Sequence, residues 1–379
     1  MEFQTLFTKM TAKNNTYILI MAGGVGSRFW PKSRNQFPKQ FIDILGIGKS
    51  LLQLTYERFE KIAPKENIYI LTNDSYANIV KEQLPKVITD NILLEPSRNN
   101  TAPCIAYAAY KIGKINPEAN LVVAPSDHLI LREDIFLNKI EMALDFSAKH
   151  DALLTLGITP TRPDTGYGYI EFADEQGKES KELGLGTEIK KVNAFKEKPV
   201  LEKAEEYLAS GDYVWNAGIF IWSVKSLIKA FELHAANIAE IFANGLPVLN
   251  TDKEADFIRE QYPKSENISI DYAILERAIN VYTIPADIGW SDLGTWASLH
   301  EVVEKDEENN AINCDKINLK ESSDCIIHLP AGKAAVIRGL NNFIVVDDGK
   351  ALLIYPKNHE QEIKSEVTAM VNLFGKDLS

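Results

Sequence analysis

The chain has 379 residues and a formal net charge of −12, with 45% hydrophobic and 25% charged residues. This is the composition of an ordinary globular protein with enough apolar material for a sizeable core. The negative charge argues against a surface for nucleic acid or anionic membrane, because both partners need a broad basic field. A site for an anionic ligand must therefore be a local basic pocket.

The cysteines and the chain start indicate the compartment. Three cysteines, Cys104, Cys314 and Cys325, form no C-x-x-C pair and are odd in number. This pattern argues against a disulfide framework or a zinc site and favours a reducing environment. The first residues lack the long apolar run of a signal peptide, and no later stretch is long enough to span a membrane. We therefore expect a cytoplasmic protein.

The first 160 residues alternate between short apolar runs and helical patterns. Four runs lack polar alternation and predict buried parallel strands: TYILIMAGG, NIYILTN, NILLEPS and NLVVAPSDH. The segments between them predict helices: SLLQLTYERFEKI, SYANIVKEQL and NTAPCIAYAAYKIGKI. The first of these helices carries Ser50 and Gln53 at the spacing of a capping box. Repeated strand–helix–strand units indicate a doubly wound α/β sheet, in which ligands bind beyond the carboxyl ends of the strands.

The pattern changes after the acidic stretch at 301–310. Four short strand patterns follow, separated by turn dipeptides: DCIIHLP, KAAVIRG, NNFIVVDDG and KALLIYP. A last helix is predicted at 359–374, where one face collects the apolar residues Ile363, Val367, Met370, Val371 and Phe374. The sequence therefore predicts two domains, a large one at 1–304 and a small β domain at 305–379 that ends in a helix.

Residues 21–41, MAGGVGSRFWPKSRNQFPKQF, combine three glycines with basic side chains and contain no acid. The dinucleotide fingerprint G-x-G-x-x-G does not fit, because Phe29 stands where its third glycine belongs. The phosphate loop G-x-x-x-x-G-K-S does not fit the neighbouring DILGIGKS, because Asp43 holds its first glycine position. Two interpretations stay open: a tight turn with solvated basic residues, or a turn whose N–H groups and basic side chains bind a nucleotide's phosphates.

The stretch AGGVGSRFWPKSRNQFPKQF resembles the signature of the sugar-nucleotide pyrophosphorylases, G-G-x-G-x-R followed by P-K. Its form R-x-W-P-x-S-R…P-K-Q-F is similar to the mannose-1-phosphate guanylyltransferase branch of that family. The resemblance covers most of the first 300 residues and implies a Rossmann-like, GT-A-like nucleotidyltransferase domain with a mixed sheet. It also implies that the backbone at Ala22, Gly23 and Gly24 binds the nucleotide. By the same resemblance, Arg28 and Lys39 are catalytic residues that hold the phosphates.

The segment LLEPSRNNTAPCIAYAA resembles the guanine-recognising motif E-P…N-T-A-P-A-I of this branch. It implies that Glu95, Asn100 and Thr101 bind the nucleotide, with Glu95 accepting hydrogen bonds from the guanine N1–H and 2-amino group. On residue type alone, the same stretch is a strand-end acid followed by a capped helix. Relatives often carry Gly-Arg before Asn-Thr, where this chain has Arg98 and Asn99. The basic residue that faces the nucleotide is therefore left open.

Two aspartates match the metal-binding aspartates of the family: Asp127 in VVAPSDHLI and Asp292 in IGWSDLGTW. Nucleotidyl transfer needs a hard divalent cation, and carboxylate oxygens suit Mg²⁺, with Mn²⁺ as the alternative. The resemblance implies a metal site formed by both residues and a contact from Asp127 to the nucleotide. His128 does not indicate a transition-metal site, because no other histidine stands at ligand spacing. Without the resemblance, Asp292 would be a turn or cap residue.

Three segments match the sugar side of the family's site: TGYGYI, AFKEKP and WNAGIFIW. The resemblance implies that the sugar phosphate is bound by Tyr167, Gly168, Glu197, Lys198 and Asn216. Lys198 is also expected to be catalytic, because it pairs with the incoming phosphate. On residue type alone, these are a β-turn, a solvated Glu–Lys pair and a buried structural asparagine. Asp271 of SIDYAILE is either a site residue or a first-turn acid favoured by the helix dipole.

The resemblance implies an enzyme that transfers GMP from GTP to α-D-mannose 1-phosphate, giving GDP-mannose and pyrophosphate. Two alternatives stay open. One is the same chemistry with another nucleoside triphosphate or hexose 1-phosphate, and the other is a non-catalytic regulatory homologue that binds sugar nucleotides. Family members carry a small β-helix-like C-terminal domain that often mediates dimerisation, so a homodimer through this domain is also left open. No nucleic-acid or membrane partner is expected.

Overall fold

The computed structural model of the chain describes residues 14–24, 26–172, 188–375 and 378. The chain divides into two compact units. The first unit comprises the residues up to 23, 56–125 and 130–290, and the second comprises 24–55, 126–129 and 291–379. The second unit therefore combines the segment that follows the first strand with the C-terminal part of the chain. The predicted domain boundary after residue 304 stays a prediction.

The strands are β1 (Thr16–Met21), β2 (Ile68–Asn73), β3 (Ile92–Glu95), β4 (Asn120–Pro125), β5 (Leu129–Ile130), β6 (Leu153–Ile158), β7 (Gly168–Phe172), β8 (Lys190–Glu197), β9 (Tyr213–Ser223), β10 (Val281–Ala286), β11 (Trp290–Ser291), β12 (Ala311–Asn313), β13 (Lys316–Lys320), β14 (Ile326–His328), β15 (Ala334–Arg338), β16 (Phe343–Asp347) and β17 (Leu352–Pro356). The α-helices are α1 (Leu51–Phe59), α2 (Ala77–Gln83), α3 (Thr101–Ile115), α4 (Glu133–Ser147), α5 (Leu201–Ser210), α6 (Val224–His234), α7 (Ala236–Gly245), α8 (Glu254–Gln261), α9 (Trp296–Val302) and α10 (Ile363–Phe374). Short 3₁₀ turns include Ser27–Phe29, Lys39–Phe41 and Lys357–Glu362, and Asp271–Leu275 is a π-helical turn.

Within the described residues, the first unit is built on one mixed sheet of nine strands in the order β3-β2-β1-β4-β9-β6-β10-β8-β7. Strands β1 to β4 pair in parallel, whereas β9 runs antiparallel to both β4 and β6. Parallel neighbours need crossover connections, and helices α2 and α3 lie in the chain between β2, β3 and β4. This arrangement confirms the predicted doubly wound α/β fold with a mixed sheet.

The core of the first unit explains the unbroken apolar strands of the sequence. Ile18, Leu19 and Ile20 of β1 are all fully buried, as expected for a parallel strand in a sheet that is covered on both faces. The main cluster packs strand residues against helices α3, α6 and α7. In that cluster the rings of Tyr107 and Phe242 stack with their centroids 6.0 Å apart.

The predicted helices are present, with shifted boundaries: α1 ends at Phe59 and α2 begins at Ala77. The capping box of α1 is formed, because the Ser50 N–H donates to Gln53 Oε1 at 2.9 Å and the Gln53 N–H donates to Ser50 Oγ at 3.3 Å. The terminal helix α10 begins at Ile363 rather than at residue 359. Residues 357–362 form a 3₁₀ turn instead, in which Glu360 Oε2 accepts a hydrogen bond from the Ala297 N–H at 2.8 Å. A tertiary contact thus replaces the first helical turn.

The C-terminal strands alternate between two small sheets of the second unit. β12, β14 and β16 pair in parallel, β17 joins them antiparallel, and β13 and β15 pair in parallel in the other sheet. Every second strand therefore pairs in parallel with the one before it, which is the arrangement expected of stacked coils in a β-helix-like domain. The same unit buries aromatic residues of the glycine-rich segment, where Phe29 meets Trp296 edge to face at a centroid distance of 4.9 Å. These aromatic residues are therefore core residues.

None of the helices in the described part of the chain is long and apolar enough to cross a membrane. The three cysteines are free thiols, and two of them, Cys104 and Cys325, are buried.

A buried ion pair anchors helix α8 in the first unit. Lys111 Nζ donates to both carboxylate oxygens of Glu254, at 2.7 and 2.6 Å, and the Tyr107 hydroxyl donates to the same carboxylate. We expect Glu254→Gln to lower the free energy of unfolding by about 3–5 kcal/mol, because it leaves a buried ammonium without its charge partner. Urea denaturation measures this loss.

The matched control is Asp145→Asn, which breaks the exposed pair of Asp145 with Lys149. This change should alter the free energy of unfolding by no more than about 0.5 kcal/mol. Equal losses in the two variants would contradict the interpretation of the Glu254 pair as a buried structural anchor.

Candidate functional site

The first glycines of the signature stand at the carboxyl end of β1. The Ala22 N–H donates to the Leu71 carbonyl at 2.7 Å, and the Ala22 carbonyl accepts from the Thr72 hydroxyl at 2.8 Å. Both backbone groups of the buried Ala22 are therefore used within the first unit. Its predicted backbone contact to a nucleotide, like those of Gly23 and Gly24, stays a prediction.

The signature loop closes on itself within the second unit. Gly26 has a φ of 66°, and a Cβ at this position would lie 2.5 Å from Lys39 Cβ. Only glycine therefore fits the conformation and the space. The Gln40 amide donates to the Gly24 carbonyl at 2.9 Å, which ties the end of the loop back to its beginning.

The Lys39 ammonium lies at the centre of this loop and is buried. Its Nζ donates to the carbonyl oxygens of Asp292 and Leu293, at 2.7 and 2.9 Å, and lies 2.9 Å from Asp127 Oδ2. Three signature segments that are far apart in the sequence are thereby joined through one cation. The three N–H donors of the ammonium are matched by three protein oxygens, so the predicted bond from Lys39 to a phosphate stays a prediction.

Two aspartates share this cation in different ways. Burial alone would raise the pKa of the Asp127 carboxyl, but the Lys39 ammonium and the neighbouring His128 outweigh it and lower that pKa. Asp292 meets Lys39 through its backbone carbonyl, while its Oδ1 accepts from the Gly294 N–H at 3.0 Å. Both turns therefore hold their carboxylates in a defined place.

The donor set of these two turns fits a hard cation. Carboxylate oxygens are the preferred ligands of Mg²⁺, which usually completes its shell with water and with substrate phosphates. Nowhere in the described residues do three or more His, Cys, Asp or Glu side chains form a complete metal cluster. Asp127 and Asp292 thus suit a metal that is bound together with phosphate. Their predicted role as metal ligands is not tested by these contacts.

Arg28 lies in the 3₁₀ turn Ser27–Phe29 and is exposed. Burial raises the pKa of the Glu360 carboxyl, and the Arg28 charge opposes that rise. Arg28 is therefore close to Glu360 within the second unit. The predicted catalytic role of Arg28 stays a prediction.

Glu95 ends strand β3 of the first unit and is 8% exposed. Its Oε2 accepts a hydrogen bond from the Tyr262 hydroxyl at 2.6 Å, and its backbone carbonyl accepts from the Asn73 amide at 3.0 Å. A Cβ added to Gly23 would lie 3.7 Å from Glu95 Oε1. Burial raises the pKa of Glu95 to about 7, although the bond from Tyr262 and the charge of Arg98 lower it.

Asn100 and Thr101 start helix α3. The Asn100 side chain accepts from the Thr101 N–H at 3.0 Å as the N-cap, and the Thr101 hydroxyl accepts from the Ile270 N–H at 2.9 Å. Both side chains thus have structural partners, as the capped-helix interpretation requires. Their predicted contact to the nucleotide is not tested by these bonds.

Arg98 donates to the Tyr76 hydroxyl at 2.6 Å, and Asn99 is buried.

A second group of predicted residues meets around β7 and β8 in the first unit. A Cβ at Gly168 would lie 2.5 Å from Glu197 Oε2, so glycine leaves room for that carboxylate. Lys198 Nζ donates to Glu197 Oε1 at 2.6 Å, and the Lys198 N–H donates to the Tyr167 carbonyl at 3.3 Å. The bond to Glu197 raises the pKa of the exposed Lys198 ammonium.

Asn216 on β9 is held at both ends of its amide. Its Nδ2 donates to Asp271 Oδ1 at 2.9 Å, and its Oδ1 accepts from the Gly218 N–H at 3.1 Å. Burial raises the pKa of Asp271 to about 6, and the nearby Glu197 charge adds to the rise. Asp271 therefore belongs to this cluster, which settles its position near the sugar-side residues but not its role.

Tyr167 lies in an aromatic wall of the same cluster. Its ring meets Trp215 and Trp290 edge to face, with centroids 5.0 and 5.3 Å away. The Arg162 guanidinium lies 5.4 Å from the centre of the Trp215 ring. Such a wall of ring faces and edges can bind the apolar face of a sugar.

The structure thus groups the predicted residues into three clusters: Lys39 with Asp127 and Asp292, Glu95 with Gly23, and Gly168 with Glu197, Lys198 and Asn216. Sequence reasoning missed Tyr262, the partner of Glu95. The segment QYPKSENISI that contains it carries no motif, so only the fold reveals the contact. It also missed Gln40, although this residue is part of the quoted signature.

The chain is similar to known proteins over most of its length. The model of the nucleotidyl transferase family matches residues 17–309. A mannose-1-phosphate guanylyltransferase of Escherichia coli is 34% identical over 363 residues, which cover 94% of this chain and 73% of that protein. A solved structure from Thermus thermophilus, described as a mannose-1-phosphate geranyltransferase, has a TM-score of 0.82 at 27% identity and covers 94% of this chain and 99% of its own. A mannose-6-phosphate isomerase of Helicobacter pylori has a TM-score of 0.58 at 25% identity and covers 73% of this chain and 99% of its own.

The raised pKa of Glu95 has a consequence for stability. Folded Glu95 keeps its proton up to about pH 7, whereas the unfolded chain loses it near the ordinary value of 4.5. Between these values folding binds a proton, so the contribution of Glu95 to stability falls as pH rises. The wild type loses about 1.4 kcal/mol of its free energy of unfolding per pH unit in this range. The free energy of unfolding of Glu95→Gln should therefore rise by about 3 kcal/mol relative to that of the wild type between pH 4.5 and 8. Urea denaturation across this range measures the gain.

The control is Glu206→Gln, which removes an exposed carboxylate paired with Lys203. The free energy of unfolding of this control should stay within about 0.5 kcal/mol of the wild-type value at every pH. If the difference in free energy of unfolding between Glu95→Gln and the wild type also stays constant with pH, the buried Glu95 carboxyl has an ordinary pKa.

Proposed function

This chain belongs to the nucleotidyl transferase family, and on that premise we propose that it transfers GMP from GTP to α-D-mannose 1-phosphate, giving GDP-mannose and pyrophosphate. The observation that carries the proposal is the Lys39 ammonium. It binds Asp127 and the 292–293 turn at distances of 2.7 to 2.9 Å, so three segments of the guanylyltransferase signature meet at one point.

The reaction needs no protein nucleophile. A phosphate oxygen of the sugar phosphate forms a bond to the α-phosphorus of GTP, and the bond from that phosphorus to the bridging oxygen of pyrophosphate breaks. The attacking oxygen is already anionic, so no strong general base is required. Catalysis then rests on orientation and on stabilising charge, which suits clusters made of Lys, Asp, Glu and Asn side chains.

We assign the phosphate side of the reaction to the cluster around Lys39. Asp127 and Asp292 would hold a divalent cation, Mg²⁺ or Mn²⁺, which when bound supplies positive charge to the reacting phosphate oxygens. Lys39 keeps Asp127 ionised and fixed against the 292–293 turn. Arg28 is exposed on the same loop and is the side chain that we expect to reach the departing pyrophosphate.

We assign base recognition to Glu95. An ionised carboxylate only accepts hydrogen bonds, and the guanine edge offers two donors, the N1–H and the 2-amino group. Uracil and thymine offer a single ring N–H between two carbonyl oxygens, which repel a carboxylate. A buried acceptor at this strand end therefore favours GTP.

We assign sugar recognition to the cluster around Gly168. Glu197 accepts hydrogen bonds from hydroxyl groups, the tethered Asn216 amide adds a further polar contact, and Lys198 neutralises the incoming phosphate. Isomerisation of mannose 6-phosphate, the activity in the name of the Helicobacter neighbour, would give Glu95 no base to bind. A cytoplasmic location and a homodimer through the C-terminal β domain stay predictions, the second of which size-exclusion chromatography tests.

The test is pyrophosphate release by the purified full chain with Mg²⁺. GTP, UTP and dTTP are each combined with mannose 1-phosphate, glucose 1-phosphate and mannose 6-phosphate. We expect rapid release only from GTP with mannose 1-phosphate. Preference for UTP or glucose 1-phosphate would keep the chemistry and overturn the assigned specificity. No release from any pair by folded protein would favour the regulatory homologue.

We expect Asp127→Asn to lower the rate of pyrophosphate release by at least about 100-fold, the usual effect of removing one preorganised charge from such a site. The asparagine keeps the size of the side chain and an acceptor for Lys39, but it leaves that buried ammonium without its charge partner, so we expect a loss of stability as well. Circular dichroism and thermal unfolding check that the variant is folded under the assay conditions. Asp287→Asn is the control, because it removes an exposed acid that pairs with Arg132. Near-normal turnover of folded Asp127→Asn would overturn the role of this carboxylate.

A further inference from the structure

The side chain of Tyr262 is fully buried. Its hydroxyl donates to Glu95 Oε2 at 2.6 Å, although the two residues are 167 positions apart in the chain. The ring is held by an edge-to-face contact with Phe242, at a centroid distance of 6.0 Å. The hydroxyl therefore has a fixed position from which to hold the carboxylate.

The backbone of Tyr262 is tied to the loop that follows Glu95. The Asn99 amide donates to the Ser265 carbonyl at 2.8 Å and to the Tyr262 carbonyl at 3.3 Å. The Ser265 hydroxyl also donates to the Tyr262 carbonyl, at 2.6 Å. The turn at 262–265 and the loop at 95–99 are thus joined by several hydrogen bonds, of which the Tyr262–Glu95 bond is one.

The two oxygens of Glu95 face different partners. Oε2 is bound by Tyr262, whereas Oε1 is the oxygen nearest to Gly23, 3.7 Å from the position of an added Cβ. Glycine at this position leaves Oε1 uncovered by a side chain. The tyrosine therefore decides which carboxylate oxygen is presented at the end of β1.

We propose that Tyr262 is a positioning residue for base recognition, whose hydroxyl orients Glu95 and favours its ionised form, so that the enzyme selects guanine over adenine. This inference rests on the proposed function. An ionised carboxylate has about four lone-pair sites on its two oxygens, so Glu95 can accept from Tyr262 at Oε2 and still accept from the N1–H and 2-amino donors of guanine. A neutral carboxylic acid offers one donor and one acceptor, which match the N1 acceptor and 6-amino donor of adenine. The protonation state of Glu95 therefore sets the preferred purine.

The charges around Glu95 support a specificity that depends on pH. The titratable groups that face it are Tyr262, Arg98, Asp74 and Cys104. Burial raises the pKa of Glu95 to about 7 and Asp74 adds to this rise, whereas Tyr262 and Arg98 lower it. Burial raises the pKa of the Tyr262 hydroxyl far above its usual range, so that it remains a donor. Removing the hydroxyl should therefore leave Glu95 protonated at a higher pH.

The experiment compares Tyr262→Phe with the wild type, using GTP or ATP with mannose 1-phosphate between pH 6 and 9. At pH 7 we expect KM for GTP to rise about tenfold, the effect of losing one hydrogen bond to a charged group, while kcat changes less than about twofold. The ratio of kcat/KM for GTP over ATP should fall at pH 6.5 and recover at pH 8.5. The nucleotides titrate in the same way in both assays, so their own ionisation does not affect the comparison of Tyr262→Phe with the wild type.

The matched control is Tyr107→Phe, which removes another buried hydroxyl that donates to a carboxylate, that of Glu254. The ratio of kcat/KM for GTP over ATP in Tyr107→Phe should equal that of the wild type at every pH. A Tyr262→Phe profile that coincides with that of the wild type would overturn the inference, and so would a loss of kcat at every pH without a change in preference.

Glu95→Gln separates this inference from the proposed function. If Glu95→Gln loses the preference for GTP while Tyr262→Phe keeps it, base recognition stands and the role of Tyr262 is wrong. If the wild type releases no pyrophosphate from GTP and mannose 1-phosphate, the proposed function fails and the inference fails with it.

Discussion

The buried ammonium of Lys39 is the interaction on which the phosphate side of the molecule depends. A buried charge is tolerated only when it is paired and hydrogen-bonded, and Lys39 meets this need with Asp127 and two carbonyl oxygens of the 292–293 turn. Gly26 follows from the same contact, because a side chain there would collide with Lys39. The glycine-rich pattern thus serves the packing of a lysine, whatever else it does.

Two carboxylates of the first unit, those of Glu95 and Asp271, are in the opposite electrostatic state. Asp127 has a cation beside it and a lowered pKa, whereas burial raises the pKa of Glu95 to about 7 and that of Asp271 to about 6. Donors that reach these two acids are neutral, the Tyr262 hydroxyl and the Asn216 amide. Neutral donors orient a carboxylate without fully offsetting its desolvation. A ligand that brings further donors therefore gains more from such acids than from one already paired with lysine.

The sequence predicts the parts of this arrangement that depend on local pattern. Apolar runs define the strands, so Ala22 and Glu95 are placed at strand ends, and the Ser50–Gln53 capping box is formed as expected. Contacts between distant segments lie beyond local pattern, because they depend on how the sheet brings residues together. Tyr262 and Gln40 are of this kind, as is the 3₁₀ turn that replaces the start of the terminal helix. The resemblance names site residues such as Lys39 but not their partners.

The sugar-side cluster shows how such partners control charge. Under the proposed function, an incoming phosphate would compete with Glu197 for the Lys198 ammonium, which lies 2.6 Å from Glu197 Oε1. If Asp271 were also ionised, three negative groups would face one cation. Burial and the Glu197 charge raise the pKa of Asp271 to about 6, so they disfavour that ionised state. The Asn216 amide, which donates to Asp271 Oδ1 at 2.9 Å, orients this acid without bringing a charge to it.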